Sequence, residues 1–533
     1  MVAIKISEQN LVKNLRFAFT DPKVLIAELM QNSRRAGATY VCINFNEEQQ
    51  ALTFIDDGCG IADFEPMFTI AETGWNESVQ DDERPFGMGF ISTLFYADEI
   101  EIISLNQHIR FRTKDALALA NIDMLSSGTS PFMQGTQITL FGINLDYSVI
   151  ENAVARYAKG FPISVKFNNS EMERPHAIDC MPFEQTAIGL VHLNLGWEVL
   201  CYLQGIPVGN NHRLHCVGKP TVVHLSNQFR GNMPDRSRLF DEDNSVNFIT
   251  QTIHKLREQH LLSLQNELPV VDFANKYWNI ATNLNLLDLF EMHPFIPSRI
   301  LGSIYSTPCT STSYDGKSYI GTTAFGVTAF GVHKHQVESG EVVLFSNPPT
   351  SDDDEYWHAA ILAKALGWVF IDVKALPKAH WAKKYIIDLG ELNVSLSYVA
   401  LSSTYFSGAQ VNAELVLCES YTLSYDKHHI LINDEAVYWQ GKIIVPQYSR
   451  GVEALCQVED YYFDDNFDGT LLAEDEKLLQ RLIRSERIRL SSGSQVDILK
   501  EILADSVKLF PALAKSSFLI KFDDSLNSEI TQM

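Results

Sequence analysis

The chain has 533 residues, of which 46% are hydrophobic and 20% charged, a balance that excludes disordered, collagen-like and coiled-coil classes. Against 66 aspartates and glutamates stand 42 lysines and arginines, and the net charge of −24 argues against a nucleic-acid coat and against docking on an anionic membrane. Such a length predicts roughly two to four domains.

No run of ~18 apolar residues predicts a membrane span. Residues 1–14 carry Lys5, Glu8 and Lys13 and do not read as a secretory leader. Eight dispersed cysteines form no C-x-x-C pair, so neither a disulfide framework nor a structural zinc site is expected, and a reducing cytoplasmic location fits.

In chain order, the first predicted element is a helix within Thr20–Ala38. Asp21 or Thr20 serves as cap, Pro22 lies in the first turn and Gly37 at the end. Leu25, Ile26, Leu29 and Met30 form its apolar face, and Glu28 and Asn32, four apart, project from one side. A hairpin follows, with strands Tyr40–Phe45 and Ala51–Ile55. It runs into Asp56-Asp57-Gly58-Cys59-Gly60-Ile61, where two glycines after a strand allow a ligand close to the backbone.

A short helical pattern covers Phe64–Ala71. Phe86-Gly87-Met88-Gly89-Phe90 then opens a helical run to Ala97, a glycine-rich entry suited to phosphate. Strands are expected at Glu99–Ser104, His108–Thr113 and Gln137–Phe141, the last after Gly135-Thr136. A helix at Ser148–Lys159 and strands at Phe161–Phe167, Leu190–Leu195 and Val199–Leu203 come next, then a long amphipathic helix at Val246–Leu264. Beyond residue 270 helices are expected near Glu355–Leu366 and Glu474–Arg489, and strands near Glu341–Phe345, Ala413–Leu417 and Lys442–Val445.

The order of these motifs within one domain's length resembles the GHKL ATPase superfamily, whose members include gyrase B, MutL, histidine kinases and the ninety-kilodalton heat-shock chaperones. Glu28-Leu-Met-Gln-Asn32 resembles its N box, Asp56–Gly60 its first glycine box, Phe86–Ser92 its second, and Gly135–Leu140 its closing element. Asn32–Thr39, NSRRAGAT, is similar to a MutL pattern. Thr69–Gly74, Ala97–Ile103 and Val154–Val165 resemble heat-shock chaperone segments. The likeness is specific over residues 15–170 and absent beyond 265.

The resemblance implies an α/β (α+β) fold: a Bergerat-type α/β sandwich at 1–170, a transducer-like α/β domain at 171–268 and a mixed C-terminal region at 269–533. It implies ATP with Mg²⁺ as ligands, Asn32 as the metal ligand and Glu28 as the group that orients or deprotonates the attacking water. Asp56 would accept from the adenine amino group. Gly58, Gly60 and Ile61 would flank the base, Gly87, Met88, Gly89 and Phe90 the phosphates, and Thr136 would reach adenine through a water. Arg236 or Arg238, and more weakly Lys219, are the candidates for a basic residue lent to the γ-phosphate. Two departures from the pattern stand out: Arg35 where an acidic residue is common, and Asp57 where asparagine is common.

The leading functional reading is an ATP-driven machine of the chaperone type that acts on a protein client as a homodimer. A MutL- or MORC-like DNA clamp, disfavoured by the charge, and a nucleotide-gated scaffold without turnover are the alternatives. Arginines and lysines at 477, 481, 484, 487 and 489 form either a basic stripe or a solvated face paired with neighbouring glutamates. Asp464–Gly469 opens like a calcium loop, but its twelfth position is Asp475, so an acidic turn is preferred. His333, His335, His428 and His429 read as surface or strand histidines rather than ligands.

Overall fold

The computed structural model describes the chain apart from residues 1–6, 18, 20, 71, 73, 76, 78, 81–88, 126–133, 210–218, 233–237, 303, 315–316, 326–329, 347–356, 459–460, 464–465, 468, 492–493, 498, 501–502, 504–512, 514–515 and 524–526. Two compact units are present, Met1–Asn266 and Glu267–Met533. Among the described residues no helix is long and apolar enough to cross a membrane.

The first unit opens with helices α1, Glu8–Leu15, and α2, Val24–Arg35. Its strands are β1 (Tyr40–Asn46), β2 (Ala51–Asp56), β3 (Glu99–Ser104), β4 (Gln107–Arg112), β5 (Met124–Leu125), β6 (Thr136–Phe141), β7 (Ser164–Phe167) and β8 (Ser170–Glu171). They form one mixed sheet in the order β5-β4-β3-β6-β2-β1-β7-β8. Only β1 and β7 run parallel; the other pairs are antiparallel.

Alternation sets the two faces of this sheet. Val41, Ile43 and Phe45 of β1 and Ile100 and Ile102 of β3 point inward and are buried. Leu25, Leu29 and Met30 of α2 cover that face with Ile150 and Val154 of the Tyr147–Ala158 helix, and together they make one core. The opposite face is polar: Arg110 donates to Glu99 at 2.9 Å and His108 meets Glu101 at 3.0 Å.

A second sheet follows in the same unit: β9 (Glu184–Thr186), β10 (Gly189–His192), β11 (Val199–Leu203), β12 (Ile206–Val208) and β13 (Thr221–Leu225), in the order β12-β11-β13-β10-β9. Ile249 and Ile253 of the Glu242–Glu267 helix pack on it. That helix starts four residues before the apolar period because Glu242 and Asp243 suit its N-terminal turn.

The second unit is built around a long antiparallel hairpin, Ser395–Ser407 with Asn412–Tyr425, extended by Lys442–Val445, Val437–Trp439 and His428–Ile432. The Gly469–Leu490 helix packs Leu479 and Ile483 against Leu415, Ile443 and Val445 of this sheet.

Candidate functional site

The site grows from the C-terminal end of β2. Inward parity runs through Leu52 and Phe54 to Asp56, so the strand's last residue carries a carboxylate on the face covered by α2. Pairing sets Asp56 opposite Thr136 on β6, and Thr136 opposite Ser104 on β3. Directly opposed residues share a face, so these three make a polar row at one end of the apolar core. Ser104 Oγ donates to the Gly135 carbonyl at 2.9 Å, lies 2.9 Å from Thr136 Oγ1 and accepts from the Ile61 amide at 2.8 Å.

Asp56 is half-buried. Its Oδ2 accepts from Ser33 Oγ at 2.9 Å and its Oδ1 from the Gly58 amide at 3.0 Å. Burial pushes its carboxyl above the ordinary aspartate value; the bonds from Gly58 and Ser33 oppose that shift without cancelling it. Gly135 has φ +90° and packs so tightly on the Asp56 carbonyl that a Cβ would collide with it. The residue next to Asp56, Asp57, plays a different part. Burial opposes ionisation there, but Thr39 Oγ, the Tyr40 amide and the Thr39 amide together hold it below the ordinary value. It fastens the end of β2 to the start of β1.

Helix α2 brings the other groups in. Glu28 is buried at 5% exposure, and Gly89 stands against its carboxylate so closely that any Cβ at residue 89 would strike Glu28 Oε2. Gly89 therefore faces the Glu28 carboxylate directly. Asn32, four residues on, is half-buried, and its Oδ1 accepts from Arg35 Nη1 at 3.3 Å.

After Gly89 the chain forms a helix as expected, of the 3₁₀ type and ending at Phe95, two residues short of Ala97. Ser92 Oγ returns to the Gly89 carbonyl at 2.6 Å and Thr93 Oγ1 to the Phe90 carbonyl at 2.6 Å, which competes with α-helical pairing. Phe90 itself is buried and meets Phe68 edge-on.

The structure thus gathers Glu28, Asn32, Asp56, Gly58, Gly60, Ile61, Gly89, Phe90 and Thr136 around one end of the first sheet. Gly87, Met88 and Arg236 lie outside the described residues. Arg238 is exposed, and its carbonyl accepts from the Asn232 amide beside the Gly231–Leu239 bridge. Lys219 is exposed just before β13. Neither residue bonds to the groups above among the described contacts.

Two partners escaped the sequence reading. Ser33 continues the Leu25–Leu29 stripe at the same four-residue spacing, and Ser104 continues the Ile100–Ile102 parity; those periods were the available signals.

Elsewhere, Asp475 is fully buried and held by the amides of Ala409, Gln410 and Val411 and by Tyr461 Oη, so it is part of the scaffold and not of a calcium loop. Asp464 and Asp468 lie outside the described residues. His333 caps the Lys334–Glu338 helix. Among the described residues no group of three or more His, Cys, Asp or Glu is arranged for a metal ion.

No curated protein matches the chain. Residues 20–131 match the family model of the histidine kinase-, DNA gyrase B- and HSP90-like ATPases, so the chain carries an ATPase domain of the GHKL type.

Proposed function

We propose that this chain binds Mg·ATP between Asp56 and Glu28, hydrolyses it, and uses the resulting change of shape to remodel a protein client. The observation that carries the reading is the meeting of Glu28 and Gly89 midway along α2 while Ser33, near its C-terminal end, holds Asp56. Base recognition and phosphate chemistry are thereby tied to a single rigid helix. Asp56 offers an anionic acceptor to the adenine amino group, and the Gly58 and Ile61 backbone borders the base. Glu28 would take a proton from a water opposite the terminal phosphate.

Asn32 suits magnesium as one oxygen ligand completed by phosphate oxygens and water. Its single long contact with Arg35 leaves a lone pair on Oδ1 for a hard cation. Bound there, magnesium would neutralise phosphate charge.

Net charge supports a protein client over a DNA partner. In the helix with most basic residues, Arg487 donates to the Pro446 and Ser449 carbonyls and Arg489 pairs with Glu486 at 2.7 Å, so two of the five are consumed within the fold. The edge strand Ser395–Ser407 instead exposes Val399, Leu401 and Tyr405, apolar chemistry that suits polypeptide.

Phosphate release from Mg·ATP by the full chain tests the proposal. Turnover that rises with an unfolded polypeptide supports it; tight binding with no release would assign the chain to nucleotide-gated scaffolds, and release stimulated by DNA to the clamp reading.

A further inference from the structure

Gln31 lies between the two N-box residues, after Glu28 and next to Asn32, and the nucleotide reading gives it no task. It is polar and only 2% exposed. Its Nε2 donates to the carbonyl of Gln204 at 2.7 Å, a partner 173 residues away, and its Oε1 accepts from Arg34 Nε at 2.9 Å. Both ends of the amide are therefore engaged.

Gln204 and Gly205 are the two turn residues of the β11–β12 hairpin, with φ of +54° and +86°. Two consecutive left-handed residues match the tight turn that suits the twist of such a hairpin. This hairpin is an edge of the second sheet, yet it is seated on the first core. Ile206 belongs to the same buried cluster as Leu25, Ile26 and Leu29 of α2. A Cβ on Gly205 would come to 2.6 Å from Pro162 Cδ and 3.1 Å from the Gly160 carbonyl. Beside the turn the sheets separate around a cavity of about 390 Å³, lined by Arg34, Gln204, Gly205, Pro162, His224 and Ser226. The junction next to α2 is thus a localised fastening flanked by open space.

We propose that Gln31 is a positioning residue that couples the helix carrying Glu28 and Asn32 to the second sheet through the Gln204–Gly205 turn. The inference rests on the nucleotide reading above. A rigid α2 cannot shift at its phosphate-facing side without moving the Gln31 amide, and that amide grips the hairpin by a buried bond whose loss would strand a donor and a carbonyl. Conversely, displacement of the hairpin moves Glu28 relative to Gly89. The second sheet then senses nucleotide and sets how well the water is aligned.

The test compares the full-length wild type with Gln31→Met and Gln31→Glu. Methionine keeps length and removes both bonds. Glutamate keeps the acceptor for Arg34 and puts an anion against the Gln204 carbonyl. Hydrogen exchange is followed with and without a non-hydrolysable ATP analogue, beside steady-state hydrolysis. In the wild type we expect added protection at residues 56–61 and at 199–208. Both variants should keep the first response and lose the second, and kcat should fall about 10-fold while KM stays within about twofold. Gly205→Ala should uncouple the same two regions from the other side of the bond.

A full response at 199–208 in both Gln31 variants would overturn the proposal. So would wild-type behaviour of Gln31→Glu alone, because it would move the role to the Arg34 contact. Protection at 56–61 without any change at 199–208 in the wild type would overturn the coupling and leave the nucleotide site standing. Absence of protection at 56–61 in the wild type would contradict the nucleotide reading and, with it, the coupling.

Discussion

Asp56 in the first unit and Asp475 in the second are both carboxylates drawn out of water, and they are used in opposite ways. Asp475 is fully buried, and four donors close on its two oxygens: the Ala409 amide, the Gln410 amide at 3.0 Å, the Val411 amide at 3.1 Å and Tyr461 Oη at 2.9 Å. Three of the four fall on Oδ2 and one on Oδ1, and the side chain is closed off from solvent, so a ligand has no approach to it. Asp56 is only half-buried, stands at the rim of its sheet, and is held chiefly by Ser33 and Gly58. A buried acid closed in by its own chain is a clamp; one fixed in direction but half open to solvent keeps an acceptor available.

The largest effect that would sharpen this contrast concerns Glu28, a buried carboxylate of the first unit. Glu28→Ala should retain ATP binding and lose turnover by about 10²–10⁴-fold. Phosphate release at the wild-type rate would remove Glu28 from the chemistry. The converse experiment is Asp475→Ala. Stranding three amides and the buried Tyr461 phenol should cost the second unit about 4 kcal/mol in denaturant unfolding, with ATP affinity unchanged. A stability equal to wild type would break the distinction between clamp and site.

Protons offer a third test, again confined to the second unit. His380 is buried, and its Nδ1 accepts from the Ala382 amide at 3.2 Å. Burial, then His293, Lys383 and Lys334, push its pKa down to about 4. The folded unit therefore binds fewer protons than the unfolded chain between that value and the ordinary histidine value of 6.5. Stability is complete above 6.5 and falls as the pH drops toward 4, by up to about 3 kcal/mol. His380→Asn keeps an acceptor for Ala382 and should flatten the slope, as followed by melting across that range. An unaltered slope would assign the protons elsewhere.

The smallest effect concerns Arg35. Arg35→Asp restores the acidic residue that the resemblance leads one to expect and releases Asn32 Oδ1 from the guanidinium. The magnesium concentration for half-maximal turnover should fall by about 5-fold. A rise would mean that Arg35 itself helps hold the phosphates.

What the sequence revealed was local. Helix α2, the β1–β2 hairpin and the Asp56–Gly60 segment are written in spacings of four, two and glycine punctuation, and they are legible without a fold. The 3₁₀ type of the Phe90–Phe95 helix was not, because two hydroxyls drawn back to carbonyls of the same turn decide it. Ser104 and Gln31 take their meaning from partners 32 and 173 residues away. In the second unit only Ala413–Leu417 stood out of a strand that runs from Asn412 to Tyr425. Its neighbour Ser395–Ser407 is an edge strand rich in serine and tyrosine, with no apolar alternation to betray it.

The most direct measurement is calorimetric titration of the full chain with Mg·ATP, wild type beside Asp56→Asn. Asparagine preserves shape but replaces one carboxylate oxygen by an amide donor, so the adenine amino group would face a donor or a neutral acceptor in place of an anion. The account requires binding by the wild type and none by the variant, with the melting temperature of the first unit little changed. Equal affinity in the two proteins would contradict it and place the base somewhere other than at Asp56.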